Sequence, residues 1–206
     1  MLFNILVLIS LLVILMMLRR LVGVFPSLMA CLIRWKENVN LEASVQLSRD
    51  RNILAWTMYL PFCLTVWRFG LYNPSFIDGF NEAAQLGLTT GIIMAFALLR
   101  KAMEFILRPK KTSNKTYMTA CKASRTFFSL LTLTLLSMGG IMTSAGVSTD
   151  SIMSAMLWVS GAIYLIFMLR KFQILISSTS FFAAFLYLCA LEIIPTGAII
   201  ASAIVF

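Results

Sequence analysis

Apolar runs long enough to cross a bilayer recur six times in this chain, and no other feature restricts its folding so strongly. They cover Leu2–Leu18, about Ile53–Leu71, Ala83–Leu99 and slightly beyond, about Ser124–Thr143, Ser151–Leu169, and Phe181–Phe206. A helix needs about 20 residues, at 1.5 Å each, to span ~30 Å of hydrocarbon. The runs are continuous and do not alternate, which argues against lipid-facing barrel strands. Only 12% of residues are charged and 60% are hydrophobic, whereas soluble domains carry about 25% charge. The sequence therefore predicts an all-α, polytopic membrane helix bundle of about six transmembrane helices. It reads as a single transmembrane domain over 1–206: a first helix over 1–18, an interfacial segment over 19–52 and a five-helix core over 53–206.

The connections order these helices across the membrane. Odd-numbered connections collect sixteen basic residues and even-numbered ones collect only Arg68. Basic residues mark cytoplasmic loops, so both termini are expected outside the cytoplasm. Arg19 and Arg20 follow the first run directly, with no basic stretch before it and no cleavage site after it, so it reads as a retained helix and not a secretory signal. The apolar stretch Leu21–Ile33 is about 13 residues long and contains Pro26. Its length suits an interfacial helix on the cytoplasmic face, not a seventh span.

The net charge of +9 is explained by these loops. Nucleic-acid binding is not expected, because no aromatic-basic module accompanies the charge. Instead, Arg108, Lys110, Lys111, Lys115, Lys122 and Arg125 form a basic patch expected to lie on anionic lipids at the cytoplasmic face. There is no histidine, and the four cysteines are isolated from one another. Neither a zinc site nor a disulfide framework is suggested, and no cofactor is expected. Thr132, Ser137, Gly140 and Ser144 recur at helical spacing, which fits close helix packing with hydroxyls bonding back to their own helix. Gly197 and Ala201 make a second small-residue step.

Glu192 is the one acid expected within the hydrocarbon, three residues before Pro195 in "LYLCALEIIPTG". Counted from Phe181 it lies ~16 Å deep. An ionised carboxylate facing lipid there would cost at least ~2.5 kcal/mol, so the side chain should face the bundle interior. Pro195 lacks the N–H that would bond the Leu191 carbonyl, which predicts a kink beside the carboxyl. Glu192, Pro195 and Tyr187 form the candidate intramembrane polar site, with Tyr59 and Thr134 at similar depth on other helices. Two roles are open to Glu192: hydrogen-bonding glue between helices, or a proton- or ligand-binding carboxylate. A carboxylate dyad has no second member, so an enzyme is not expected.

Tyr187, Leu188, Cys189, Leu191, Glu192 and Pro195, with the basic turn of "AIYLIFMLRKFQILIS" before them, carry a resemblance. The segment is similar to an uncharacterised family of bacterial inner-membrane proteins, a domain of unknown function, whose members end in a Tyr-Leu-Cys-x-Leu-Glu-x-x-Pro helix. "SRDRNILAWTMYLPF" resembles the start of that family's first core helix, so the likeness covers Leu41 to the end. It implies a bacterial envelope setting and a multi-span fold, and it lends no reaction. The expected function is a non-catalytic subunit or scaffold that docks a protein partner, or a second copy of itself, through its basic loops. The alternatives are a small-solute or proton-coupled transporter using Glu192 and, less favoured, an intramembrane enzyme acting on lipid.

Overall fold

The structure, a computed structural model, describes residues 2–72, 74–77, 79–107 and 114–205, without the side chains of Leu2, Ser75, Asn114, Lys115, Ile204 and Val205. The described residues form helices and turns with no strand. The helices are α1 (Leu2–Ile33), α2 (Trp35–Ala43), α3 (Val45–Thr57), α4 (Tyr59–Arg68), α5 (Glu82–Ile106), α6 (Asn114–Ser144), α7 (Thr149–Ile176), α8 (Phe181–Leu188) and α9 (Ile194–Val205). A short 3₁₀ turn, Ser75–Ile77, follows α4, and a π-helical turn, Cys189–Ile193, joins α8 to α9. Five helical stretches are long and apolar enough to cross a membrane: those of α1, α5, α6 and α7, and the α8–α9 path.

Two boundaries differ from the sequence reading. The first helix does not stop at Leu18 but continues through Arg19, Arg20 and Pro26 to Ile33, 32 residues in all. The stretch 19–33 is thus no separate interfacial helix. At ~48 Å this helix exceeds the hydrocarbon thickness, and its second half packs on the bundle. There Val24, Leu28 and Cys31 form a core with Leu41, Leu54, Met58 and Leu130. Pro26 is exposed, so its missing N–H removes one ladder bond without placing the ring in the core.

The second difference lies in the run from Ile53 to Leu71, which is split between α3 and α4 around Met58. Pro61 sits in the first turn of α4. It cannot donate to the Thr57 carbonyl, and the ladder is interrupted there. The path stays helical on both sides, since Met58 N–H bonds Leu54 O and Phe62 N–H bonds Met58 O. Together α3 and α4 make a sixth, broken passage through the bundle.

At the centre lies α6, which packs most extensively against α7. Its first half joins Ile174 and Leu175 of α7 and Ala184 of α8 in one apolar cluster. Its second half joins Ile152 and Met156 in another. The hydroxyls of Thr132, Thr134, Ser137 and Ser144 bond back to carbonyls of α6 itself, as the small-residue stripe implied. The close approach falls at Gly139, where an added Cβ would lie 2.8 Å from Met156. Gly140 and Gly197 face open space, so neither is a packing glycine.

Candidate functional site

Three charged side chains meet inside the bundle. Glu192 leaves the π turn with its side chain fully buried, and Lys171 of α7 is equally buried. Both the Lys171 ammonium and the Arg100 guanidinium of α5 donate to the same oxygen, Glu192 Oε1, the latter at 2.5 Å. Arg100 also reaches Glu104, one turn on, at 3.9 Å. The ring of Phe167 lies beneath both cations, 5.5 Å from the Arg100 guanidinium carbon and 5.8 Å from Lys171 Nζ. Glu192 Oε2 and Arg100 Nε are buried without a hydrogen bond.

Helix geometry explains how residues so far apart in sequence converge. Side chains on a helix tilt toward its N-terminus. Arg100 and Lys171 sit five to six residues before the ends of α5 and α7, both of which run toward the α2–α3 end of the bundle. Their side chains therefore lean back toward its middle. Glu192 lies on a helix that starts at that end, so it leans toward them. The depth count placed Glu192 facing inward, and it does. Sequence position alone does not give its partners, because Lys171 belongs to the basic turn before the last run and Arg100 has an acid, Glu104, one turn on along its own helix. The missed signal is periodic: Tyr164, Phe167, Lys171 and Ile174 share one helical face.

Beside Pro195 the disturbance of the helix takes the form of a π-helical turn, Cys189–Ile193. The helix widens just before the proline, and Ile194 N–H bonds Cys189 O, five residues back. A single wide turn relieves the clash of a proline ring with the preceding turn. Tyr187 is not part of the charged centre; its ring lies edge-on to Tyr117, 6.3 Å away. Tyr59 stacks against Phe128 at 4.6 Å, and the Thr134 hydroxyl bonds the Leu130 carbonyl. Neither joins Glu192.

The basic patch is also reorganised. Arg108, Lys110 and Lys111 lie outside the described residues, as does the Lys115 side chain. Lys122 and Arg125 are half-buried and turn toward α2 and α3. Lys122 bonds Glu42 of α2. Arg125 donates to Asn52 Oδ1 at 3.0 Å, and Arg51 donates to the same oxygen at 3.0 Å and to Glu42 at 2.9 Å. Burial pushes the Glu42 carboxyl up, but Lys122 and Arg51 together outweigh it and hold the group below its ordinary value. A third clamp comes from Arg170, which donates to the Leu32 and Ile33 carbonyls at 3.0 and 2.7 Å. It caps the C-terminus of α1, where a cation also suits the helix dipole.

Among the described residues no group of three His, Cys, Asp or Glu side chains is placed to hold a metal. The centre holds two cations and a carboxylate, an arrangement that ties three helices and presents one spare acceptor. No curated protein and no solved structure matches the chain. A family match begins well before Leu41, where the sequence resemblance was placed to start. Residues 3–202 match the family described as a domain of unknown function (DUF4271), and the chain, a multi-pass membrane protein with this charged centre between its helices, belongs to it.

Proposed function

We propose that this chain is a non-catalytic membrane subunit, a platform that docks a protein partner through the α2–α3 elbow. The observation that carries the reading is the way the elbow is fastened. Glu42 ties α2 to α6, Asn52 ties α3 to α6, and Arg170 ties α7 to the end of α1. Clamping of this kind holds a surface in one shape before a partner arrives, which lowers the ordering cost of binding. Arg34, Lys36 and Arg49 point outward from the clamped elbow. They supply the outward charge first assigned to Lys122 and Arg125. By the loop bias this end faces the cytoplasm, where anionic lipid headgroups also lie against it. The sequence resemblance supports a bacterial inner membrane as its setting.

Purification from native membranes tests the proposal. A stoichiometric partner should be retained by the wild type and lost from the Arg34→Glu/Lys36→Glu/Arg49→Glu variant at unchanged thermal stability. Equal retention by both proteins refutes the elbow as the docking surface.

A second reading, an ion-coupled carrier, is favoured by one observation: Glu192 Oε2 is a buried acceptor beside a π turn. Intramembrane charge and wide turns both gather at functional sites. Here the carboxylate already accepts from two cations, which favours the clamp over a free ligand site. Substrate flux in vesicles that depends on Glu192 is the result that reverses this order.

A further inference from the structure

At the end of the bundle opposite the elbow, a cleft of about 500 Å³ opens between the end of α4 and the starts of α5 and α7. Its volume is within the range of small-ligand sites. Arg68, the last residue of α4, lines it together with Glu82 of α5 and Asp150 of α7. Asp78 lies outside the described residues, and no ion pair joins Arg68 to Glu82.

The charge pattern of the cleft is unlike that of the rest of the molecule. Elsewhere every described acid has a partner: Asp50 has Arg20, Glu42 has Arg51 and Lys122, Glu104 has Arg100, Glu192 has Arg100 and Lys171, and Glu37 accepts from Asn40. Glu82 and Asp150 are the two described acids with neither an ion pair nor a hydrogen bond, and both line the same cleft as Arg68. A simple anion would meet two carboxylates there, and a simple cation would meet a guanidinium. A ligand carrying both charges satisfies all three residues.

We propose that this cleft binds a zwitterion of a phosphate ester and a primary ammonium, the headgroup of an ethanolamine phospholipid. Arg68 takes the phosphate through its paired N–H groups, a geometry that suits two phosphate oxygens. The ammonium has three donors and meets Glu82 and Asp150. Trp67 and Tyr72 also line the cleft, and such aromatics favour the headgroup level of a bilayer. The site is independent of the partner-docking reading, since it lies at the other end of the bundle.

The full-length protein can be presented with an equimolar mixture of phosphatidylethanolamine, phosphatidylglycerol and phosphatidylcholine, and retained lipid read by native mass spectrometry. The wild type should retain the ethanolamine lipid over both others. Arg68→Gln should lower that retention roughly tenfold, the equivalent of one charge-assisted hydrogen bond. Glu82→Gln/Asp150→Asn should reverse the preference toward phosphatidylglycerol, because Arg68 remains without the carboxylates. All three side chains are exposed, and none is paired, so these variants should keep the wild-type melting temperature. Thermal stabilisation by soluble phosphoethanolamine without lipid preference would keep the chemistry and overturn the lipid as its source. Equal retention of the three lipids with no such stabilisation, or wild-type preference for phosphatidylglycerol, overturns the proposal.

Discussion

Replacing Glu192 with glutamine tests the charged centre most directly. The amide keeps the size and one acceptor of the carboxyl but removes the only negative charge that touches both Lys171 and Arg100. Lys171 is 1% exposed, so water cannot replace the lost partner. Breaking a buried pair from one side costs ~3–5 kcal/mol, most of it the penalty of the stranded charge. Lys171→Met is the informative comparison. It leaves Glu192 with Arg100 at 2.5 Å and strands no cation, so its cost should be smaller, about 1–2 kcal/mol for the lost charge-assisted bond. Combining the two changes should cost less than their sum, because glutamine then strands Arg100 alone, and Arg100 still has Glu104. Reversible unfolding in mixed detergent micelles gives the three free energies. If Lys171→Met proves more damaging than Glu192→Gln, the carboxylate is not the keystone, and the account of the centre given above fails.

Gly139 and Gly140 make a matched pair. An added methyl at Gly139 would lie 2.8 Å from Met156 and 3.0 Å from the Phe69 ring, whereas at Gly140 it meets nothing. Gly140→Ala should therefore be neutral or up to ~1 kcal/mol stabilising, and Gly139→Ala at least ~1 kcal/mol worse than it; equal melting temperatures contradict the packing described. Glu42 supplies a pH dependence. Its carboxyl is held below the ordinary range, so its stabilisation is full above that range and disappears as pH falls through the folded value. Acidification should lower the wild-type melting temperature more steeply than that of Glu42→Gln, and parallel curves count against the clamp. Topology reporters placed after Phe206 and near Gly146 should read as outside the cytoplasm, and one near Ser113 as inside. A cytoplasmic C-terminus reverses the orientation inferred from the loops.

The helical fold was legible because continuous apolar runs admit few other structures in lipid. The inward aim of Glu192 was legible for the same reason, since its depth leaves no cheaper orientation. What escaped was the use made of basic residues. Counting charge by connection treats every lysine and arginine as loop-facing, yet Lys171, Arg100, Lys122 and Arg51 all turn inward. Each lies within a helix a turn or more from its end, where side-chain tilt, not sequence position, decides what it touches. The continuity of α1 was hidden by Arg19, Arg20 and Pro26, which read as terminators. Both arginines and the proline are exposed, so none obliges the helix to stop. The break beside Pro61 was written in "MYLPF", inside a run otherwise apolar enough to pass as one helix.

The wide turn at Cys189–Ile193 also sets the phase of everything after it. It carries a surplus residue relative to an α-helical turn, and at 3.6 residues per turn that rotates the following helix by ~100°. The two halves of the last passage thus answer to different neighbours. Ala184 of α8 is fixed against α6 and α7, while Ser202 of α9 meets the Tyr72 hydroxyl at 3.0 Å. Deleting Ala190 would let the helix rewind and swing Ser202 away from Tyr72 while leaving α8 in place. A family member one residue shorter at this point must therefore seat its final helix by a different face, so this short stretch governs how much length variation the whole bundle tolerates.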